Sequence, residues 1–184
     1  MMNSTREAMA WLGEQPDTLF LGQGVAYPGT KMSASFEGVP DEKRIEMPVA
    51  EQLQLGISIG LALEGFVPIS VFPRINFLLC AMDMLVNHLD KLPLYSDYQP
   101  KVIIRTAVGA KRPLDAGPQH TGDYTLPLAE MLKSVKVARL YSPATESDRW
   151  LLFLRTSGPA ERTTPIETYR TAYARKSSSL IVEG

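Results

Sequence analysis

Cysteine occurs once in 184 residues, at Cys80. An internal disulfide is therefore impossible, a lone thiol has neither a redox partner nor companion metal ligands, and a reducing compartment is expected. Cys80 is read as a buried core residue. The formal net charge is -1, too small a field to draw the chain to nucleic acid or to an anionic membrane. No apolar run approaches the roughly 20 residues of a membrane span. The start, Met-Met-Asn-Ser-Thr-Arg-Glu, lacks the basic-then-apolar order of a signal peptide. Internal repeats, linkers and low-complexity blocks are missing too. A cytoplasmic, soluble protein is the expectation, and 45% hydrophobic against 21% charged residues is enough to build the core of one globular domain.

Against that background, residues 47–91 stand out. Glu51 is the only acid between Glu46 and Glu64, and it heads an otherwise apolar, small-residue segment. Leu53, Leu55, Ile57, Ile59, Leu61 and Leu63 alternate with Gln54, Gly56, Ser58, Gly60 and Ala62, which is the strand template. The run is too long for a strand of about 5–6 residues, however. It is also rich in Leu and Ala, and it ends at Gly65, a helix stop signal. A helix over 50–64, buried on most sides, follows, with Gly56 and Gly60 on one face. Glu51 falls in or beside its first turn. Two readings of that acid stand side by side. It is either a first-turn carboxylate serving its own helix, or a buried acid tuned to hold and release a proton.

Around this segment the pattern alternates. Residues 4–14 form a helix with a Ser4-Thr5-Arg6-Glu7 capping signature. Strands are expected at 18–21, 44–47, 67–72, 101–106, 137–141 and 165–169, and helices at 76–89, 126–132 and 145–156. Residues 30–43 read as loop. Gly22-Gln-Gly24-Val-Ala-Tyr-Pro-Gly29 resembles half of a dinucleotide fingerprint, but Tyr27 stands where the third glycine belongs, and a tight strand-to-loop turn is the better reading. The fold class is α/β: a single domain over 1–173 with a mainly parallel sheet and helices on both faces, followed by a tail over 174–184. Ligands of such sheets gather beyond the C-terminal strand ends. The loops there hold Gln23, Ile75 with Phe77, and His120. His88 is read as structural.

Taken in order, Met47-Pro-Val-Ala-Glu51-Gln, the glycine-bearing helix ending Leu-Glu-Gly65, Phe72-Pro-Arg-Ile-Asn76-Phe77, Ala81-Met-Asp83 and Gly117-Pro-Gln-His120-Thr resemble the pyrimidine-binding domain of thiamine-diphosphate enzymes. The likeness is greatest to the beta subunit of the decarboxylating component of 2-oxoacid dehydrogenases, with transketolase more distant. The resemblance implies the thiamine-diphosphate-binding fold of pyrimidine type. It implies that Glu51 shares a proton with the pyrimidine ring nitrogen and so activates the exocyclic amine of the cofactor. It further implies that Phe77 packs on the pyrimidine face, that Ile75 takes a position where relatives often carry another aromatic, and that His120 serves proton or acyl transfer. Pro118 and Thr121 depart from the Gly-Ala-Gln-His-Ser-like pattern. The Gly-Asp-Gly motif that binds a divalent metal and the diphosphate is missing; Gly122-Asp123-Tyr124 is the nearest. The resemblance therefore implies a separate, alpha-like diphosphate-binding chain carrying a metal such as Mg, in a heterotetramer or with self-dimerisation. The substrate class is a 2-oxo acid or a ketose. The alternative is a non-catalytic, degenerate pyrimidine domain acting as an assembly or regulatory partner. An unrelated nucleotide-binding protein rests only on the Gly22–Gly29 loop.

Overall fold

The computed structural model describes residues 2–109, 115–140 and 164–184. Its strands are β1 (Thr18–Gly22), β2 (Arg44–Glu46), β3 (Val67–Phe72), β4 (Ile103–Ala107), β5 (Lys136–Leu140) and β6 (Ser179–Glu183). They form one sheet in the order β2-β1-β3-β4-β6-β5, and every pairing is parallel. Parallel strands need both faces covered, and the residues of β3 are all buried for that reason. Pro68 sits at its second position, where the missing N–H does least harm.

Two cores lie against the two faces. On one, Ala8, Met9 and Leu12 of α1 (Met2–Glu14) and Tyr169 and Ala172 of α7 (Pro165–Ala174) pack on Phe20, Ile69, Val71, Ile103 and Ile181. On the other, Leu55 and Ala62 of α3 (Glu51–Leu63), Leu128 of α6 (Thr125–Met131), and Ile75, Leu78, Ala81, Leu85 and Leu89 pack on Phe72, Ile104, Leu180 and Val182. Side chains of one strand alternate between the cores, as Ile103 and Ile104 do, following the two-residue period of the pleat. The expected α/β architecture is what the chain builds.

Several expectations change. Pro165–Tyr169 is not a strand; it opens α7, where Thr164 and Glu167 form a reciprocal capping box and Pro165 occupies the first turn. The segment read as a tail supplies β6, paired on both sides by β4 and β5, because its Leu180-Ile-Val182 is apolar on both faces. Ser4 and Thr5 lie inside α1 rather than capping it. Residues 30–43 are not all loop: α2 (Lys31–Ala34) carries a Thr30 capping box, and a 3-10 turn spans Asp41–Lys43. The helix expected over 76–89 is continuous but irregular. α4 (Ile75–Leu78) passes into a 3-10 turn at Leu79–Ala81 and then a π-helical segment over Asp83–Leu89, followed by the short α5 (Leu92–Tyr95). Those changes of pitch shift the phase of the apolar face and leave Cys80 exposed, not buried. α3 is buried along one side only. The helix expected at 145–156 lies outside the described residues. Among the described residues no helix is long and apolar enough to cross a membrane.

Candidate functional site

From β1 the chain steps outward to β2, then returns across β1 to β3, which continues the sheet in the opposite direction. The C-terminal ends of β1 and β3 therefore flank the topological switch point, where open α/β sheets bind ligands. The two strands meet closely there: a Cβ on Gly22 would collide with the backbone carbonyl of Val71, so only glycine fits.

The N-terminus of α3 stands over this crevice. Gln54, one turn into the helix and almost fully buried, donates through Nε2 to the carbonyl of Val71 at 3.0 Å, the hydroxyl of Ser70 at 3.1 Å and the carbonyl of Leu21 at 3.4 Å. One amide thus fastens the helix start to both strands of the switch. Glu51, three residues earlier, is the first helical residue. Ala50 before it provides no side-chain cap, so the first-turn N–H groups receive no acceptor from the cap position. Glu51 keeps only 9% of its accessible surface. Gln23, in the loop after β1, donates through Nε2 to Oε1 of Glu51 at 3.4 Å. Sequence reasoning found Glu51 and the Gln23 loop. It missed Gln54, whose only signal was an amide one turn after an acid in a leucine-rich helix.

The second half of the site lies beyond β4. Gly117 adopts φ 81°, a left-handed conformation that glycine takes without strain, and opens a 3-10 turn over Pro118–His120. Pro118 lies within the first two positions of that turn, where its missing N–H costs nothing. The hydroxyl of Thr121 donates to the carbonyl of Gly117 at 3.2 Å. Both departures from the motif are thus accommodated by the turn. A Cβ on Gly109 would strike the carbonyl of His120, which presses this turn against the end of β4. The His120 ring meets Phe77 edge-on, with centroids 5.5 Å apart and planes at 64°. Nδ1 of His120 and Oδ1 of Asn76 are buried without hydrogen-bond partners. Phe77 is half-buried. Ile75 is fully buried in the core below, so it supports the site rather than facing it. The structure thus joins Glu51 to Gln23 and Phe77 to His120, both at the C-terminal end of the sheet.

An apolar stripe runs outward from Glu51. Val49 is 79% exposed and Leu53 55% exposed, and Ile57 continues the stripe one turn further along α3. Gly60, near its far end, has open space where a Cβ would stand. Beside it, Asp83 accepts from Asn87 at 2.9 Å and from Gln52 at 3.5 Å and faces His88 at 3.5 Å. The Asn87 hydrogen bond and the neighbouring imidazole hold its carboxyl below the usual range.

The geometry defines an α/β domain with a carboxyl poised at the switch point. The chain has a transketolase-like fold: it matches a split-gene transketolase described as an inactive beta4 tetramer with a TM-score of 0.67 at 18% identity, covering 98% of this chain and 50% of that one. It also matches transketolase of Campylobacter jejuni at TM-score 0.65 and 13% identity, covering 98% of this chain and 25% of that one. In sequence it is similar to the beta subunits of 2-oxoacid dehydrogenases. It is 32% identical to the mitochondrial pyruvate dehydrogenase E1 component subunit beta of Saccharomyces cerevisiae over 146 residues, 77% of this chain and 38% of that protein. It is 36% identical to the 3-methyl-2-oxobutanoate dehydrogenase subunit beta of Mycobacterium tuberculosis over 77 residues, 40% of this chain and 22% of that protein. The chain thus spans well under half the length of these relatives. No family model matches it. The resemblance drawn from the motifs is borne out by these relatives.

Proposed function

We propose that this chain is the pyrimidine-side subunit of a split thiamine-diphosphate enzyme acting on a 2-oxo acid or a ketose. The observation that carries the reading is Glu51: a buried carboxyl at the open N-terminus of α3, above the switch between β1 and β3, in a chain similar to 2-oxoacid dehydrogenase beta subunits. The residues fit the cofactor. Glu51 would hold the proton shared with the pyrimidine ring nitrogen, and Phe77 would offer its ring as an apolar wall. His120, whose imidazole can both donate and accept, would exchange a proton with substrate. When bound, the cofactor supplies a carbon nucleophile that adds to the substrate carbonyl. The work of this chain is to exclude water, orient the ring and keep a proton at Glu51. The exposed apolar stripe of Val49, Leu53 and Ile57 borders Glu51 and supports a partner chain closing over it, one that brings the diphosphate and its metal, such as Mg. Assembly as a heterotetramer or around a self-dimer satisfies this surface.

The test is co-expression with a diphosphate-binding chain and titration of the complex with thiamine diphosphate and Mg²⁺ by calorimetry. Binding is expected for the complex and not for the chain alone. Glu51→Gln is expected to leave the complex assembled and to lower kcat by about 10²–10⁴-fold, the usual worth of a positioned acid or base. Full turnover by the variant refutes the assignment.

A further inference from the structure

Glu46 belongs to none of the motifs discussed above, yet it makes the tightest polar cluster beside the switch point. It ends β2, in register with Gly22 at the end of β1. Its Oε1 accepts from the backbone N–H of Gly24 at 2.6 Å, and its Oε2 accepts from Val25 at 3.0 Å and Ala26 at 2.9 Å. Three consecutive amides converging on one carboxylate fix a loop that has no regular structure of its own. That loop begins at Gln23, the residue that donates to Oε1 of Glu51. The same Glu46 leads along the chain, through residues 47–50, to Glu51 itself, and the N–H of Met47 donates to the carbonyl of Gly22 at 2.9 Å. Both members of the Gln23–Glu51 contact are therefore tethered to Glu46, one through the loop it grips and one through the backbone that follows it.

We propose that Glu46 is a positioning residue: by clamping residues 24–26 it holds the Gln23 amide on Oε1 of Glu51 and leaves Oε2 as the oxygen presented to a ligand. Its importance for catalysis rests on the reading of Glu51 as the cofactor acid; the coupling itself does not. An amide N–H on Oε1 assigns that oxygen as acceptor, so a proton held by Glu51 resides on Oε2. Among the described residues no group donates to Oε2. The chemistry of the clamp demands a glutamate. Glutamine would set an NH₂ donor against backbone N–H donors, and aspartate is one methylene too short to reach all three amides together.

The experiment uses the full chain labelled with ¹³C at the glutamate carboxyl, with the Glu51 resonance assigned through Glu51→Gln and read at pH 7. Glu46→Gln and Gln23→Ala are each expected to move that resonance in the same direction. The double variant moves it no further than Gln23→Ala alone, since both act through one amide. Exchange of the Gly24, Val25 and Ala26 amides accelerates about 10–100-fold in Glu46→Gln, as expected for loss of a charge-assisted bond. Glu46→Asp, which keeps the charge and serves if Glu46→Gln does not fold, is expected to give an intermediate displacement. An unmoved Glu51 resonance in a Glu46 variant whose loop amides exchange faster overturns the proposal, and so does an unmoved resonance in Gln23→Ala. Failure of the cofactor reading has a different signature: a Glu51→Gln complex that turns over like the wild type while the Glu51 resonance of the chain still responds to Glu46→Gln.

Discussion

Arg105 is a cation in the middle of a parallel sheet, and its replacement by methionine should be strongly destabilising. Only 3% of its side chain and 12% of that of Glu183 are exposed. Nε and Nη2 donate to the two oxygens of Glu183 at 2.9 and 3.0 Å, and Nη1 donates to the hydroxyl of Ser35 at 2.7 Å. The hydroxyl of Tyr169 donates to Oε1 of Glu183 at 2.8 Å, and the guanidinium lies 5.0 Å from the ring centroid of Phe36. Burial opposes the charge of Arg105, but Glu183 and Tyr169 together outweigh it and hold the guanidinium protonated; burial and the same carboxylate push the Tyr169 phenol well above its usual value. Arg105→Met leaves Glu183 charged, buried and answered by Tyr169 alone. Breaking one side of a buried pair costs about 3–5 kcal/mol. At about 2–4 °C per kcal/mol for a chain of this size, Tm should fall by about 6–20 °C. Urea unfolding followed by circular dichroism measures the free-energy loss and a thermal melt the fall in Tm, and the loss should persist at 1 M salt because the pair is shielded from solvent. Arg105→Met/Glu183→Gln removes the stranded charge while keeping an acceptor for Tyr169, and should recover a large part of the loss. The half-exposed Arg6–Glu37 pair at 3.0 Å is the control, worth about 0.2–1 kcal/mol when Arg6 is truncated. A loss below about 1 kcal/mol for Arg105→Met, or a double variant weaker than the single, refutes the reasoning.

Gln54→Leu removes the donor shared by Leu21, Ser70 and Val71 and should destabilise by about 1–3 kcal/mol. It should also loosen the start of α3, so weaker cofactor binding by the assembled complex is expected; calorimetry on the variant complex checks it, and unchanged binding disproves the role of Gln54 in setting Glu51. Tyr173 donates to Asp17 at 2.8 Å, and burial together with that carboxylate raises its phenol from 10.0 to about 12. A folded-state value above the unfolded one favours folding while the phenol is neutral. The contribution is complete below pH 10 and disappears as pH rises to about 12. Tyr173→Phe should therefore be less stable than wild type by about 1 kcal/mol at pH 8, with the gap closing by pH 12; a gap that widens with pH contradicts the assignment.

How much of this was legible in the sequence varies from element to element. β3 and β4 were, because short runs of β-branched residues have few alternatives to a buried strand. α3 was, because its length and its Leu and Ala content overrode an alternating pattern. Its burial was misjudged, since nothing local says which leucines face the sheet. α7 carried a readable signal in Thr164-Pro165 followed by Glu167, masked by the β-branched and aromatic residues after it; packing of Tyr169 and Ala172 beside α1 settles it as helix. The exposure of Cys80 depends on π-helical and 3-10 turns that no residue period announces.

The sequence by itself determined the alternation of strands and helices and the placing of Glu51 at a helix start. Those are consequences of side-chain period, capping and backbone sterics, which act over a few residues. The close approach expected at Gly56 and Gly60 did not follow, since Gly60 faces open space. Only the tertiary structure decided that β6 enters the sheet between β4 and β5, that Gln54 bridges the ends of β1 and β3, and that His120 meets Phe77. Each joins residues distant along the chain, and its free energy comes from burial and hydrogen bonds that exist only once the sheet has closed around them.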